Sequence, residues 1–179
     1  MANLGGLTMK TSFTVAVLLL ALGFNPNALA GIIQSECDDV SENLVVNCGF
    51  ETGDFRGWLR GSGPCFCGIT EEARFSGAFG LQHAGLGSLE YITQILPTVA
   101  GQQYSLSFWL WNTGQPNAFR VRWEGVIVYD LVDAPDLPWT QVQLNGLMAS
   151  QDRSEIQFGF YNYLGWWFFD DVVVVPSPK

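Results

Sequence analysis

Two carboxylates of this 179-residue chain sit in surroundings that give them chemistry to do. Glu51 lies in NCGFETGDFRGW, residues 47–58, among Gly49, Gly53 and Gly57. Glycines let a backbone turn sharply and bring carbonyl oxygens close to a side chain, and a carboxylate with carbonyls is the donor set of a hard cation such as calcium. Asp170 is the second candidate ligand. It shares strand parity with Phe168, Val172 and Val174. If that stripe faces the core, its charge is buried and needs a cation or strong donors. The alternative for both acids is satisfaction by the backbone amides of a turn.

Four thiols, Cys37, Cys48, Cys65 and Cys67, fall close together, and their redox state depends on the compartment. The first thirty residues bear on that. Lys10 is their only charge, an apolar run extends from Val15 to Leu22, and Ala28, Leu29 and Ala30 after Pro26 have the form of a cleavage site. Residues 1–30 thus read as a secretory signal peptide. The apolar run is far shorter than the roughly 20 residues of a membrane span, so none is expected after cleavage. A secreted, periplasmic or cell-surface protein meets an oxidising compartment, and two disulfides follow. A bridge between Cys65 and Cys67 would close a very small ring at the edge of permitted geometry. Of the three pairings, those joining Cys37 and Cys48 each to one of Cys65 or Cys67 are therefore preferred. A zinc site is the rival, although C-x-C beside two scattered cysteines is not the usual C-x-x-C spacing.

Nucleophilic catalysis has less to work with. His83 is the only histidine, no G-x-S-x-G elbow occurs, and cystines account for the cysteines. Two facing carboxylates would suffice for a glycosidase, but none of the seventeen acids stands out as such a pair. A non-catalytic protein is expected. Seventeen acids against eight bases give net −9, and removal of Lys10 with the leader makes it −10. Nucleic acid requires a basic surface and is not an expected partner. A neutral glycan or exopolysaccharide is indifferent to this charge, whereas an acidic one is repelled.

Residues 31–179 suffice for one domain with a substantial core. Period-two alternation dominates, and no segment longer than about ten residues shows helical periodicity. Strands are expected at 89–96, 104–112, 119–123, 126–131, 140–147, 156–161 and 167–175. Gly101, the 112–117 stretch, Gly125, Pro135, Pro138, Gly146 and Gly165 mark turns between them. Many short strands rich in aromatic and β-branched residues make an all-β antiparallel sandwich or jelly roll. It would span 43–175, between an N-terminal arm, 31–42, and a tail, 176–179.

The same parity places Tyr104, Leu106, Phe108 and Leu110 on one face, with Trp109 and Trp111 on the other. Arg120 and Arg122 alternate with Phe119, Val121 and Trp123, and Gln141, Gln143, Gln157 and Tyr161 repeat the pattern. If these strands share a sheet, one face is a platform of indoles edged by amides and guanidinium groups. Sugars bind such surfaces, their C–H faces on the rings and their hydroxyls on the polar groups. The alternative is a face covered by a loop, with Trp166 and Trp167 or the cysteine arm as the cover.

The stretches NLVVNCGFETGDFRGW, FSGAFGLQ, ITQILPTVAGQQYSLSFWLWN and FFDDVVVV, in this order, resemble the galactose-binding-like jelly rolls of secreted carbohydrate-binding modules. The resemblance runs from Asn43 onward. It is strongest to exported bacterial proteins that carry a PEP-CTERM sorting tail. It implies a structural calcium where the G-F-E turn meets the last strand, with Glu51 and Asp170 as side-chain ligands and carbonyls near Gly53 and Ser76. It also implies a non-catalytic glycan-binding or extracellular-matrix protein; on the alternation read above, Trp109, Trp111, Arg120, Arg122, Gln143 and Tyr161 would meet the ligand. A structural cell-envelope protein that binds other proteins is the alternative. The ending VVVVPSPK departs from the pattern in lacking the sorting motif, and GPCFCG is an extra loop.

Overall fold

The computed structural model describes residues 34–178, so the leader over 1–30 lies outside the described residues. A short 3-10 helix, Glu36–Asp39, precedes ten strands: β1 (Leu59–Arg60), β2 (Cys65–Thr70), β3 (Gly80–Gly85), β4 (Glu90–Leu96), β5 (Gln103–Thr113), β6 (Asn117–Trp123), β7 (Val126–Val132), β8 (Leu137–Met148), β9 (Ser154–Asn162) and β10 (Trp166–Pro176). They form two five-stranded sheets, a back sheet ordered β1-β4-β9-β6-β7 and a front sheet ordered β2-β3-β10-β5-β8. The pairings are antiparallel, as the expected sandwich requires.

Alternation decides what each sheet buries. In β5 every second residue from Tyr104 to Asn112 points inward, leaving Trp109 and Trp111 on the outer face. Phe119 of β6, Phe158 of β9 and Phe169 of β10 meet Phe108 between the sheets, and Phe160 and Trp167 pack on Phe119, all fully buried. Phe158 and Phe169, from opposite sheets, lie 4.7 Å apart between ring centroids. Burying each such side chain stabilises the fold by about 1.5–3 kcal/mol.

The glycine-rich opening turn is held by side chains in place of strand pairing. Gln94 of β4 accepts from the Val46 amide at 2.8 Å and donates to its carbonyl at 3.1 Å. Asn43 does the same to β10, donating to the Val172 carbonyl and accepting from the Val174 amide. Asn47 gathers the turn through the carbonyls of Asp54 and Arg56 and the amide of Thr52. Phe50 and Trp58 then stack in the core at 5.6 Å.

Three strands, β1 to β3, fall where no alternation was read, because glycines and cysteines interrupt the apolar pattern. Pro138, read as a turn, lies inside β8. That strand is a sheet edge, where a missing N–H costs no ladder bond. Asp170 does not share a side with Val172 and Val174 either. A register shift between Asp170 and Val173, with Asp171 at φ 50°, lets Trp167 and Phe169 face the core before it and Val172 and Val174 after it. Phe168 and Asp170 therefore point outward.

Candidate functional site

Asp170 is nonetheless fully buried, because the loop between β2 and β3 covers it. Its Oδ2 accepts from the Phe75 amide at 2.7 Å and the Ser76 amide at 3.3 Å, and its Oδ1 accepts from the Asp171 amide at 2.8 Å. Glu51 takes the other end of the same loop, accepting from the amides of Ala78 at 2.9 Å and Phe79 at 3.3 Å. Gly77 between them is at φ +64°, and a Cβ there would collide with the Glu51 carboxylate. Asp171 accepts from the Ser76 hydroxyl at 2.6 Å and the Cys37 amide at 3.3 Å, while Ser35 donates to Glu51 at 2.9 Å. Of the expected ligands, Glu51, Ser76 and Asp170 thus meet in one cluster, Ser76 through its amide and hydroxyl and not the expected carbonyl, joined by Ser35 and Asp171. Gly53 is exposed and packs toward Phe79.

Burial, then the neighbouring Asp171 charge, push the Asp170 carboxyl up to about 9. Burial, opposed by its hydrogen bonds and aided by Glu36 and Glu51, raises Asp171 as well. Among the described residues the ion pairs are Arg56–Asp54 and Arg120–Asp130, so no base neutralises this cluster. Its donors are all oxygen, which suits a hard cation. However, its carboxylate oxygens are not among the described groups of three whose ligand atoms lie within 4.8 Å of one another.

The clamped loop also covers the front face. Phe75 stacks on Trp109 at 3.8 Å and 14° and meets Trp139 edge-on, while Trp111 stacks on Phe168 at 4.1 Å. The indoles are half-buried rather than bare. Beside this block a recess of about 200 Å³ is lined by Glu36, Ser107, Trp109, Gln141 and Asp171, with Cys37, Val40 and Val173. Gln141 is the direct cross-strand partner of Trp109, and Gln143 that of Ser107.

Arg120, Arg122 and Tyr161 are on the opposite sheet, which corrects the single platform expected from alternation. Parity tells which side of a strand a residue takes but not which sheet the strand joins. On the back face Arg120 forms a two-pronged pair with Asp130, at 3.1 and 2.8 Å. The Arg122 guanidinium stands 4.9 Å over the Tyr91 ring, which lies across Gly159 where no Cβ would fit.

The disulfides are Cys37–Cys48 and Cys65–Cys67, not the crossed pairing preferred from ring size. Cys65 and Cys67 share one side of the edge strand β2 and face His83, whereas Cys37 and Cys48 meet where the arm packs on the opening turn. His83 is buried, and burial together with the Arg60 charge lowers its pKa to about 4. Phe75, Trp139 and Asp171 were missed in the sequence. Phe75 sits in an irregular loop, and Trp139 follows a proline that reads as a break. Asp171 adjoins Asp170, so the doublet itself was the signal.

No protein-family model matches the chain, and no curated protein matches it in sequence. Solved structures match its fold. A CBM61 carbohydrate-binding module, TmCBM61, in complex with β-1,4-galactotriose has a TM-score of 0.62 at 16% identity, covering 76% of this chain and 100% of that one. The CBM22-1 xylan-binding domain of Paenibacillus barcinonensis Xyn10C has a TM-score of 0.56 at 17% identity, covering 73% and 92%. The enzymatically active domain of bacteriophage CBA120 tailspike protein 4 has a TM-score of 0.60 at 14% identity, covering 76% of this chain but 22% of its own. At these identities the likeness is one of fold.

Proposed function

We propose that this protein is an exported, non-catalytic carbohydrate-binding β-sandwich that takes a neutral sugar in the recess beside Trp109. The observation that carries the reading is the lining of that recess. It places an indole, the Gln141 amide, the Ser107 hydroxyl and the Glu36 and Asp171 carboxylates around about 200 Å³. An indole accepts the apolar face of a pyranose, while amides and carboxylates satisfy its hydroxyls. The recess is small, which favours one sugar unit, with Gln143 at its border. The sugar ligands named for the structural neighbours, β-1,4-galactotriose and xylan, support this class. Titration with a panel of neutral oligosaccharides including both types tests it. Trp109→Ala and Gln141→Ala should each weaken binding about tenfold, a loss of roughly 1.4 kcal/mol. Unchanged affinity in both would reject the site.

Calcium is proposed for the acids behind the recess on the oxygen chemistry of their donors, not on their spacing. Glu51, Asp170 and Asp171, with the Ser35 and Ser76 hydroxyls, would hold it. When bound it would supply the positive charge that no basic side chain provides there.

A second reading, a structural cell-envelope protein that binds other proteins, is favoured by one feature. Phe66, Tyr163 and Leu164, 62%, 65% and 72% exposed, border a hollow at one rim. Concentration-dependent self-association by a chain that binds no sugar in the panel would select it.

A further inference from the structure

Cys65 and Cys67 lie two residues apart on β2, and Cys67 is in register with His83 of β3. Such residues share one side of a sheet. Both sulfurs and one imidazole nitrogen lie within 4.8 Å of one another. His83 is 2% exposed, its ring stacks on Phe160 at 4.8 Å, and its Nδ1 is buried without a hydrogen-bond partner. Buried ring nitrogens normally find a partner, so this one is poised for a ligand. Arg60, on the back-sheet edge strand β1, donates to the Cys67 sulfur at 3.0 Å and the Cys65 sulfur at 3.5 Å. β2 is the matching edge of the front sheet, so the three donors and the guanidinium meet at one open side of the sandwich.

We propose that in the dithiol form Cys65, Cys67 and His83 bind one copper(I) ion. Thiolates select soft d10 ions, and imidazole completes a three-donor set of the kind copper(I) accepts. Charge separates it from zinc. Two thiolates and one monovalent ion leave a single negative charge, which Arg60 balances; a divalent ion would make the site neutral and leave the guanidinium charge unbalanced. Zinc also asks for a fourth donor. Loading starts from the disulfide seen here. Two molecules of an external thiol deliver two electrons and two protons to the Cys65–Cys67 bond and leave as their own disulfide. Copper(I) then displaces the two thiol protons with no change in its oxidation state.

The test uses the whole chain, reduced with a phosphine that is then removed, and titrated without oxygen with copper(I) against a chromogenic copper(I) chelator. One equivalent should bind with thiolate-to-metal absorption in the near ultraviolet. The same protein reoxidised to its disulfides should bind none, a contrast that needs no substitution. Cys37→Ser with Cys48→Ser should keep the site, and Cys65→Ser with Cys67→Ser should lose it. His83→Gln, checked for folding by thermal melting, should bind roughly tenfold or more weakly. The proposal is overturned if reduced and reoxidised protein bind alike, if the Cys65/Cys67 variant retains the ion, or if folded His83→Gln binds as tightly as the parent.

Discussion

The two outer faces of the sandwich differ in what stands over them. On the back sheet the polar side chains answer one another, Arg120 to Asp130 and Arg122 to Tyr91, and the face stays open. On the front sheet a loop is drawn down by the carboxylates of Glu51 and Asp170, and its Phe75 ring roofs Trp109. The difference teaches how a flat sheet acquires a recess. Buried carboxylates accept backbone amides, the held loop becomes a wall, and the wall makes a concave site beside an indole. The back face has comparable side chains without a wall.

Breaking the clamp should cost most. Asp170→Ala removes the acceptor of the Phe75 and Ser76 amides, and leaving these part-buried donors unmet should lower stability by about 1–3 kcal/mol in urea unfolding. The matching change on the back face, Asp130→Ala, removes half of a partly exposed pair and should cost less than about 1 kcal/mol. Near-equal losses would erase the contrast between the faces.

Removal of the proposed calcium should come next. An ion that binds only the folded state raises its stability by about 2.7 kcal/mol at a hundredfold excess over the dissociation constant. A chelator should therefore lower the melting midpoint of the parent by several degrees and leave that of Asp170→Ala nearly unmoved. A parent midpoint unaffected by chelator would leave Glu51 and Asp170 as acids held by amides alone.

The pH profile of the metal-free protein sharpens the picture. The folded state keeps a proton on Asp170 up to about 9, whereas the unfolded chain releases it near 3.8. That contribution is complete below about 3.8 and is lost as pH rises through 9. His83 acts in the other direction. It protonates near 4 when folded and 6.5 when unfolded, so its contribution is present above 6.5 and lost as pH falls through 4. Between about 4 and 6.5 the two slopes offset. From 6.5 to 9 stability should fall with pH, by at most about 1.4 kcal/mol per unit. Asp170→Asn should flatten that alkaline limb in denaturant melts taken across the range.

Much of the sandwich was legible because two-residue alternation reports directly which side of a strand is apolar. Trp109 and Trp111 were placed outward on that ground, and Arg120 and Arg122 were too. What alternation could not carry was strand order, since β5 pairs with β8 and β10 and not with β6. Asp170 was expected to be buried only if its stripe faced the core; the bulge turns it outward, and a loop covers it there instead. Phe75 and Trp139 belong to irregular or proline-broken stretches with no period to read. The disulfide pairing depended on β2, a strand that glycine and cysteine disguise.

The most direct measurement is chemical-shift mapping of backbone amides and indole N–H groups during titration with the tightest-binding neutral oligosaccharide of the panel. The expected result is a set of shifts centred on the Trp109 indole, Ser107 and Gln141, with the back sheet silent. Shifts centred on Tyr91, Arg120, Gln157 and Tyr161, with the Trp109 indole unmoved, would contradict it.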